Sequence, residues 1–186
     1  MKTRFAVIAL LLLALGCGEP EVRWPVSRQG GSFLKLSAER NKRLLEQEQA
    51  LLDRIIEADS QHTYLTSQSG SRYYYLQQAP GDGYTPQPDD LVTLTYDIRT
   101  WDNDTIYPET EIGLVRYKVD KQELFPGLRN SVKLLQEGES AVFFFPSSLA
   151  FGYHGDQERI GPNLPVQSTL TIVKIEKQSD SESSNP

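Results

Sequence analysis

The stretch ELFPGLRNSVKLLQEGESAVFFFP, residues 123–146, decides how this chain reads. Pro126-Gly127 punctuates the chain, and Leu128 to Gln136 then reads as one short helix. Glu137-Gly138 is a turn signal, and Glu139 to Phe145 is a strand rich in Val and Phe. Outward from there, Arg72 to Gln78, Leu91 to Thr100, Val115 to Val119 and Val166 to Lys177 also read as strands. Pro80-Gly81-Asp82-Gly83 and Asp102-Asn103-Asp104 separate them as turns. Antiparallel-looking strands about one short helix predict an α+β domain over residues 61–178, with the sheet wrapped around that helix.

Upstream the period changes to that of a helix. Residues 37–60 read as amphipathic, with Leu44, Leu45, Leu51, Leu52, Ile55 and Ile56 on one arc. Ser37 suits the N-cap, and Glu39 complements the helix dipole. Glu48 falls inside the apolar arc, which argues against a strict coiled-coil seam. Such a helix packs on its own domain, or serves as a spacer or dimerisation element. Residues 17–36 mix Pro and Gly with polar residues and read as a flexible tether, and the Ser/Asp/Glu tail 179–186 reads as disordered.

The first 16 residues read as an export signal. Lys2 and Arg4 precede eleven apolar residues, Phe5 to Leu15. At helical rise these span roughly 16 Å, about half the hydrocarbon thickness of a bilayer. Ala14-Leu15-Gly16-Cys17 resembles the lipobox of bacterial lipoproteins, although a branched aliphatic is commoner where Ala14 stands. The expectation is a chain lipidated on Cys17 and held at the bacterial cell envelope, facing the periplasm. The competing reading is an ordinary secretory signal with a buried cysteine. Acyl chains contribute about 0.8 kcal/mol per buried CH₂, so two or three on one cysteine give lasting attachment.

Composition narrows the function classes. Formal net charge is −6, and loss of Lys2 and Arg4 leaves 17 basic against 25 acidic side chains. An acidic chain without basic clusters is a poor nucleic-acid binder and gains nothing from anionic headgroups. A single cysteine allows no internal disulfide. His62 and His154 lie far apart, without ligand spacing, and read as solvated or packing residues; no metal site or cofactor is expected. Asp102-Asn103-Asp104 lacks the glycine and closing glutamate of a calcium loop. No nucleophile elbow or Cys–His pair is present.

An ordered set of apolar and aromatic motifs remains. Tyr73-Tyr74-Tyr75, Gly81-Asp82-Gly83, Leu94-Thr95-Tyr96, Glu123 to Leu128, Glu137-Gly138-Glu139, Leu149-Ala150-Phe151-Gly152 and Leu164-Pro165 follow one another. In that order they resemble the FKBP-type peptidyl-prolyl isomerases, over about Gln68 to Glu176. More narrowly, Arg23 to Ser32, Glu39 to Lys42, Tyr117 to Asp120 and Gly155 to Gly161 look like the FKBP-type lipoproteins associated with gliding motility.

The resemblance implies a folding helper for exported proteins, binding X-Pro segments of unfolded clients and assisting export of gliding adhesins. The alternative is a non-catalytic chaperone or assembly adaptor on the same fold. It also implies that Tyr96, Leu124, Phe125, Leu128, Phe151, Leu164 and Ile172 line the catalytic groove, with Phe125 offering its N–H to the substrate carbonyl. Ile106, Tyr107 and Tyr117 would form the rim. Four departures weaken the groove. Ile106-Tyr107 stands for Phe-Asp, which removes the pocket carboxylate, and Phe151 stands for Tyr. Leu128 stands for Trp, and Ile172 for an aromatic. These imply poor macrolide binding and reduced isomerase activity.

Overall fold

The computed structural model describes residues 30–178, with side chains from Leu34 onward. The signal segment, Cys17 and the tail 179–186 lie outside the described residues. The chain divides into two compact units, Met1–Glu39 and Arg40–Pro186. Of the first, the described part is the opening of helix α1 (Gly30–Ala58), where Leu34 and Leu36 are exposed. The helix begins at Gly30 rather than Ser37, so residues 30–36 of the expected tether are helical. Glycine costs most in a helix interior. Gly30 and Gly31 sit in the first turn, where the N–H groups lack intrahelical partners in any case.

In the second unit α1 continues to Ala58 and packs on the domain. Leu52, Ile55 and Ile56 join Tyr64, Tyr74, Trp101, Val142 and Phe144 in a small apolar cluster. Leu45 and Leu51, expected on the same arc, are exposed, and Glu48 is buried instead. Trp101 Nε1–H donates to Val166 O at 3.0 Å, so the ring also ties the cluster to the sheet.

After α1, Asp59 organises the turn. Its carboxylate accepts from Gln61 N–H and the Tyr64 hydroxyl, each at 2.9 Å, and meets His62 Nδ1 at 2.7 Å. The His62 ring stacks on Tyr74 with centroids 4.0 Å apart, which makes it a packing residue. The His62 hydrogen bond above all lowers the Asp59 pKa to about 2. A carboxylate shifted down stabilises the fold fully above its ordinary value of 3.8 and loses that contribution as pH falls through about 2. We therefore expect the His62 and Tyr64 ring resonances to shift with an NMR midpoint near pH 2, and a midpoint near pH 4 would contradict the arrangement.

The strands are β1 (Leu65–Thr66), β2 (Arg72–Gln77), β3 (Leu91–Tyr96), β4 (Ile98–Thr100), β5 (Thr105–Tyr107), β6 (Val115–Lys118), β7 (Ser140–Phe145) and β8 (Val166–Glu176). They form one antiparallel sheet ordered β1-β2-β7-β8-β3-β6, with β4 pairing both β5 and β8. The α+β architecture stands as expected. The strand predicted over Leu91 to Thr100 is broken at Asp97. The buried Asp97 carboxylate accepts Thr169 N–H at 2.7 Å and also holds Arg99, displacing a regular ladder bond.

Helix α2 is a single turn (Glu109–Ile112), so the central helix is not alone among the strands. That central helix, α3, spans Pro126–Val132, with Pro at its start. It ends before the expected Gln136 because buried Glu139 draws the chain away, accepting Gln136 N–H at 2.8 Å and Ala79 N–H at 3.0 Å. Leu128 and Val132 of α3 pack against Val92, Leu94, Phe143, Phe145, Leu170 and Ile172. Strand β7 is buried along nearly its whole length because its two faces meet two different layers. Phe143 and Phe145 face the α3 core, and Val142 and Phe144 face the α1 cluster.

Gly127 lets α3 approach that core. A Cβ there would overlap the Phe145 ring and come 2.9 Å from Leu149 O. Gly127→Ala should therefore destabilise the domain by about 1–3 kcal/mol, read as a lowered urea midpoint with unchanged slope.

Candidate functional site

Several residues expected to line the groove are half-buried against the core around α3. Tyr96 ends β3, Ile106 and Tyr107 lie on β5, and Leu124 and Phe125 lead into α3. Phe151 follows the 3-10 turn Ser147–Leu149, and Leu164 precedes β8. All of these pack against the same core while keeping part of their surface accessible. Phe125 meets Phe145 edge-on at 5.3 Å and Phe151 at 5.1 Å. Leu128 and Ile172, expected in the walls, have no exposure and lie in the core beneath.

Tyr117 departs from the expected rim. It is 1 % exposed and belongs to the core. Strand alternation explains this, because Arg116 and Lys118 point outward and Tyr117 inward. Val115, two residues earlier on the inward face, is half-buried against the same core. The period-2 register of β6 carries that signal.

Neither the Phe125 N–H nor the Tyr96 hydroxyl has a hydrogen-bond partner among the described residues. Phe125 is the N-cap of α3, and its carbonyl accepts from Arg129 N–H at 3.1 Å. An N–H at a helix start lacks an intrahelical acceptor and can donate to an incoming carbonyl. Burial raises the Tyr96 pKa, so the hydroxyl stays protonated at neutral pH as a potential donor.

The carboxylate that Ile106-Tyr107 seemed to remove is supplied by another segment. The Tyr107 hydroxyl donates to Asp156 Oδ2 at 2.5 Å. Asp156 Oδ1 in turn accepts from Glu158 N–H at 2.9 Å and Ile160 N–H at 2.7 Å. Burial works against the Asp156 carboxylate, but these hydrogen bonds outweigh it and hold its pKa below the ordinary range. Gly155 permits the turn at φ +63, where a Cβ would also strike Ile160 O. The Arg159 guanidinium sits 4.6 Å over the Tyr107 ring, donates to Ile106 O at 3.2 Å and pairs with Glu111. Loop 155–160 is thus bound to β5 and α2.

The hydrogen bond to Asp156 raises the Tyr107 pKa to about 12. Tyrosine loses its proton only in the phenolate, so this contribution is complete below the ordinary value of 10.0 and disappears as pH rises through about 12. Ultraviolet titration should show several late-ionising tyrosines, of which Asp156→Asn brings one down toward 10. If that substitution leaves the titration unchanged, the contact is refuted.

Known proteins resemble this chain over part of its length. Residues 83–173 match the family model of the FKBP-type peptidyl-prolyl cis-trans isomerases. The probable FKBP-type peptidyl-prolyl cis-trans isomerase FkpA of Neisseria meningitidis serogroup B is 34% identical over 110 residues. The match covers 59% of this chain and only 39% of that relative. A Pseudomonas syringae peptidyl-prolyl cis-trans isomerase superposes with TM-score 0.58 at 17% identity, covering 73% of this chain and 96% of that one. FkpA from Escherichia coli gives 0.57 at 17% identity, covering 95% and 82% respectively. The two structural likenesses establish a shared fold.

Proposed function

We propose that this chain, whose residues 83–173 match the family model of the FKBP-type peptidyl-prolyl cis-trans isomerases, is a member of that family and accelerates rotation about X-Pro bonds in polypeptides that are still folding. The observation that carries the proposal is the half-buried Phe125, packed on Phe151 and Phe145, whose N–H has no hydrogen-bond partner among the described residues. Rotation about the peptide bond faces a barrier of ~18–20 kcal/mol because twisting destroys amide resonance. Uncatalysed X-Pro exchange takes tens to hundreds of seconds, slow enough to limit folding. The step moves no proton and forms no covalent bond. A planar amide is more polar than a twisted one, so an apolar surface that strips its water disfavours the ground state more than the transition state. The Phe125 N–H would anchor a substrate carbonyl, and the Tyr96 hydroxyl is a second donor. Leu124, Ile106, Val115 and Leu164 would close the sides, with Leu128 and Ile172 supporting them from the core.

The client is an exported protein and the site of action is the cell envelope, with Cys17 as the lipid attachment point. This part rests on the apolar run and the Ala14 to Cys17 motif. A role in gliding motility and the export of its adhesins rests on the narrower sequence likeness alone. Two measurements test these proposals. The full chain should speed refolding of a proline-limited substrate, and an unchanged rate at stoichiometric protein would refute isomerase function. Radiolabelled palmitate should be incorporated into the chain in a bacterial host, and Cys17→Ser should abolish the label; labelling that survives would refute the anchor.

A chaperone or adaptor reading is favoured by one observation, the exposure of Leu45 and Leu51 on α1. It predicts suppression of client aggregation that is lost in Leu51→Asp while isomerase activity remains.

A further inference from the structure

Glu48 is 6 % exposed, one helical turn before Leu52, which is buried in the small apolar cluster. A buried carboxylate on that face breaks the apolar pattern, and positions that break a local rule tend to be functional or strained. Its Oε2 accepts Ser147 N–H at 2.9 Å across 99 residues of sequence. Ser147 opens the 3-10 turn Ser147–Leu149, and N–H groups at a helix start lack acceptors within the helix. Pro146 stands before it, and its ring carries no acceptor, so the turn has no side-chain cap of its own. Glu48 supplies that cap from α1. The capped turn leads straight to the aromatic contact. Leu149 N–H donates to Pro146 O at 2.9 Å and Ala150 N–H to Ser147 O at 3.1 Å, which closes the turn. Phe151 follows the buried Ala150, with its ring 5.1 Å from that of Phe125. Only Ser148, Leu149 and Ala150 separate Ser147 from Phe151, so little slack lies between the capped N–H and the ring.

We infer that Glu48 is a positioning residue for the proposed isomerase reaction: by capping this turn from α1, it holds Phe151 against Phe125. The inference rests on the isomerase reading above. A leucine at position 48 would complete the apolar arc without the cost of burying a charge, but it would offer Ser147 no acceptor. The carboxylate therefore does what packing cannot, which is to fix one backbone N–H. Leu52 and Trp101 hold α1 on the sheet, so the cap is presented from a packed helix. Leu149 O lies where a Cβ on Gly127 would come within 2.9 Å, so the same turn also abuts the start of α3. Glu48 thus ties α1 to the segment that carries Phe151 and borders the helix that Phe125 caps.

The test is isomerase kinetics of the full chain on an X-Pro peptide, with thermal denaturation alongside. Glu48→Leu should lower kcat/KM by about five- to thirtyfold, since a misplacement of one ångström costs up to about a hundredfold. Glu48→Gln keeps an acceptor for Ser147 N–H and should stay within about twofold of the unsubstituted chain. Ser147→Pro deletes the same N–H from the other side and should lose as much as Glu48→Leu, so the test does not depend on how one variant folds. Proline suits the first position of the turn, and Pro146 at ψ 155 already has the extended backbone that a following proline requires. In a Phe151→Ala background, Glu48→Leu should cause no further loss, because the contact it serves is already gone. The Phe151 ring resonances should move in Glu48→Leu and stay in place in Glu48→Gln. An unchanged kcat/KM in folded Glu48→Leu, a loss repeated in full in the Phe151→Ala background, or unmoved Phe151 resonances would each overturn the inference. Failure of the isomerase reading is distinguishable, because it shows in the unsubstituted chain, whereas failure of this inference shows only in the variants.

Discussion

Phe125→Ala is expected to lower kcat/KM for an X-Pro peptide by about ten- to a hundredfold. The Phe125 ring packs on Phe145 and Phe151, and part of it remains open to solvent. Removing it leaves the backbone N–H in place, so the carbonyl anchor survives while the apolar contact is lost. A phenylalanine side chain contributes about 1.5–3 kcal/mol when fully covered. At 1.4 kcal/mol per tenfold, that corresponds to the stated range if the contact is made in the transition state. A protease-coupled isomerisation assay checks it, with thermal denaturation alongside to account for folding. An effect smaller than threefold in a folded variant would remove Phe125 from the groove. Because Phe145 has no exposure and carries the deeper packing, Phe125→Ala should spare the core better than Phe145→Ala.

The second large effect concerns stability. Glu139→Ala should cost about 2–5 kcal/mol, judged from the two N–H groups that would lose their acceptor. Glu139 is 1 % exposed, and its two oxygens separately accept Ala79 N–H and Gln136 N–H. Those bonds join the chain before β3 to the turn that ends α3. Glu139→Gln retains one acceptor oxygen and should lose less than Glu139→Ala. Urea denaturation of the two variants decides between this account and simple side-chain packing. If both lose the same amount, the hydrogen bonds are not what stabilises the turn.

Several elements could be read from local pattern. Pro126-Gly127, the Glu137-Gly138 turn and the Val/Phe strand after it lie within a short stretch, so neighbouring residues decide them. The same holds for the amphipathic character of α1, whose spacing puts Leu52, Ile55 and Ile56 together. Its start was misread because Gly30 and Gly31 resemble a linker when their helical position is unknown. The break at Asp97 was hidden for a different reason. Its acceptor oxygen meets Thr169, and only the register of β8 against β3 brings that amide within reach.

By itself, then, the sequence determined the order of strands and helices and the aromatic positions around Phe125. Local backbone preference and hydrophobic period specify such features. Tertiary structure alone decided which side chains meet there. It buried Tyr117 and returned a carboxylate to Tyr107 from Asp156. It also assigned α1 to the outer face of β7 and buried Glu48 against Ser147. The physical reason is common to all of these. Each depends on sheet register or on layers closing over one another, and such contacts join residues far apart in the chain.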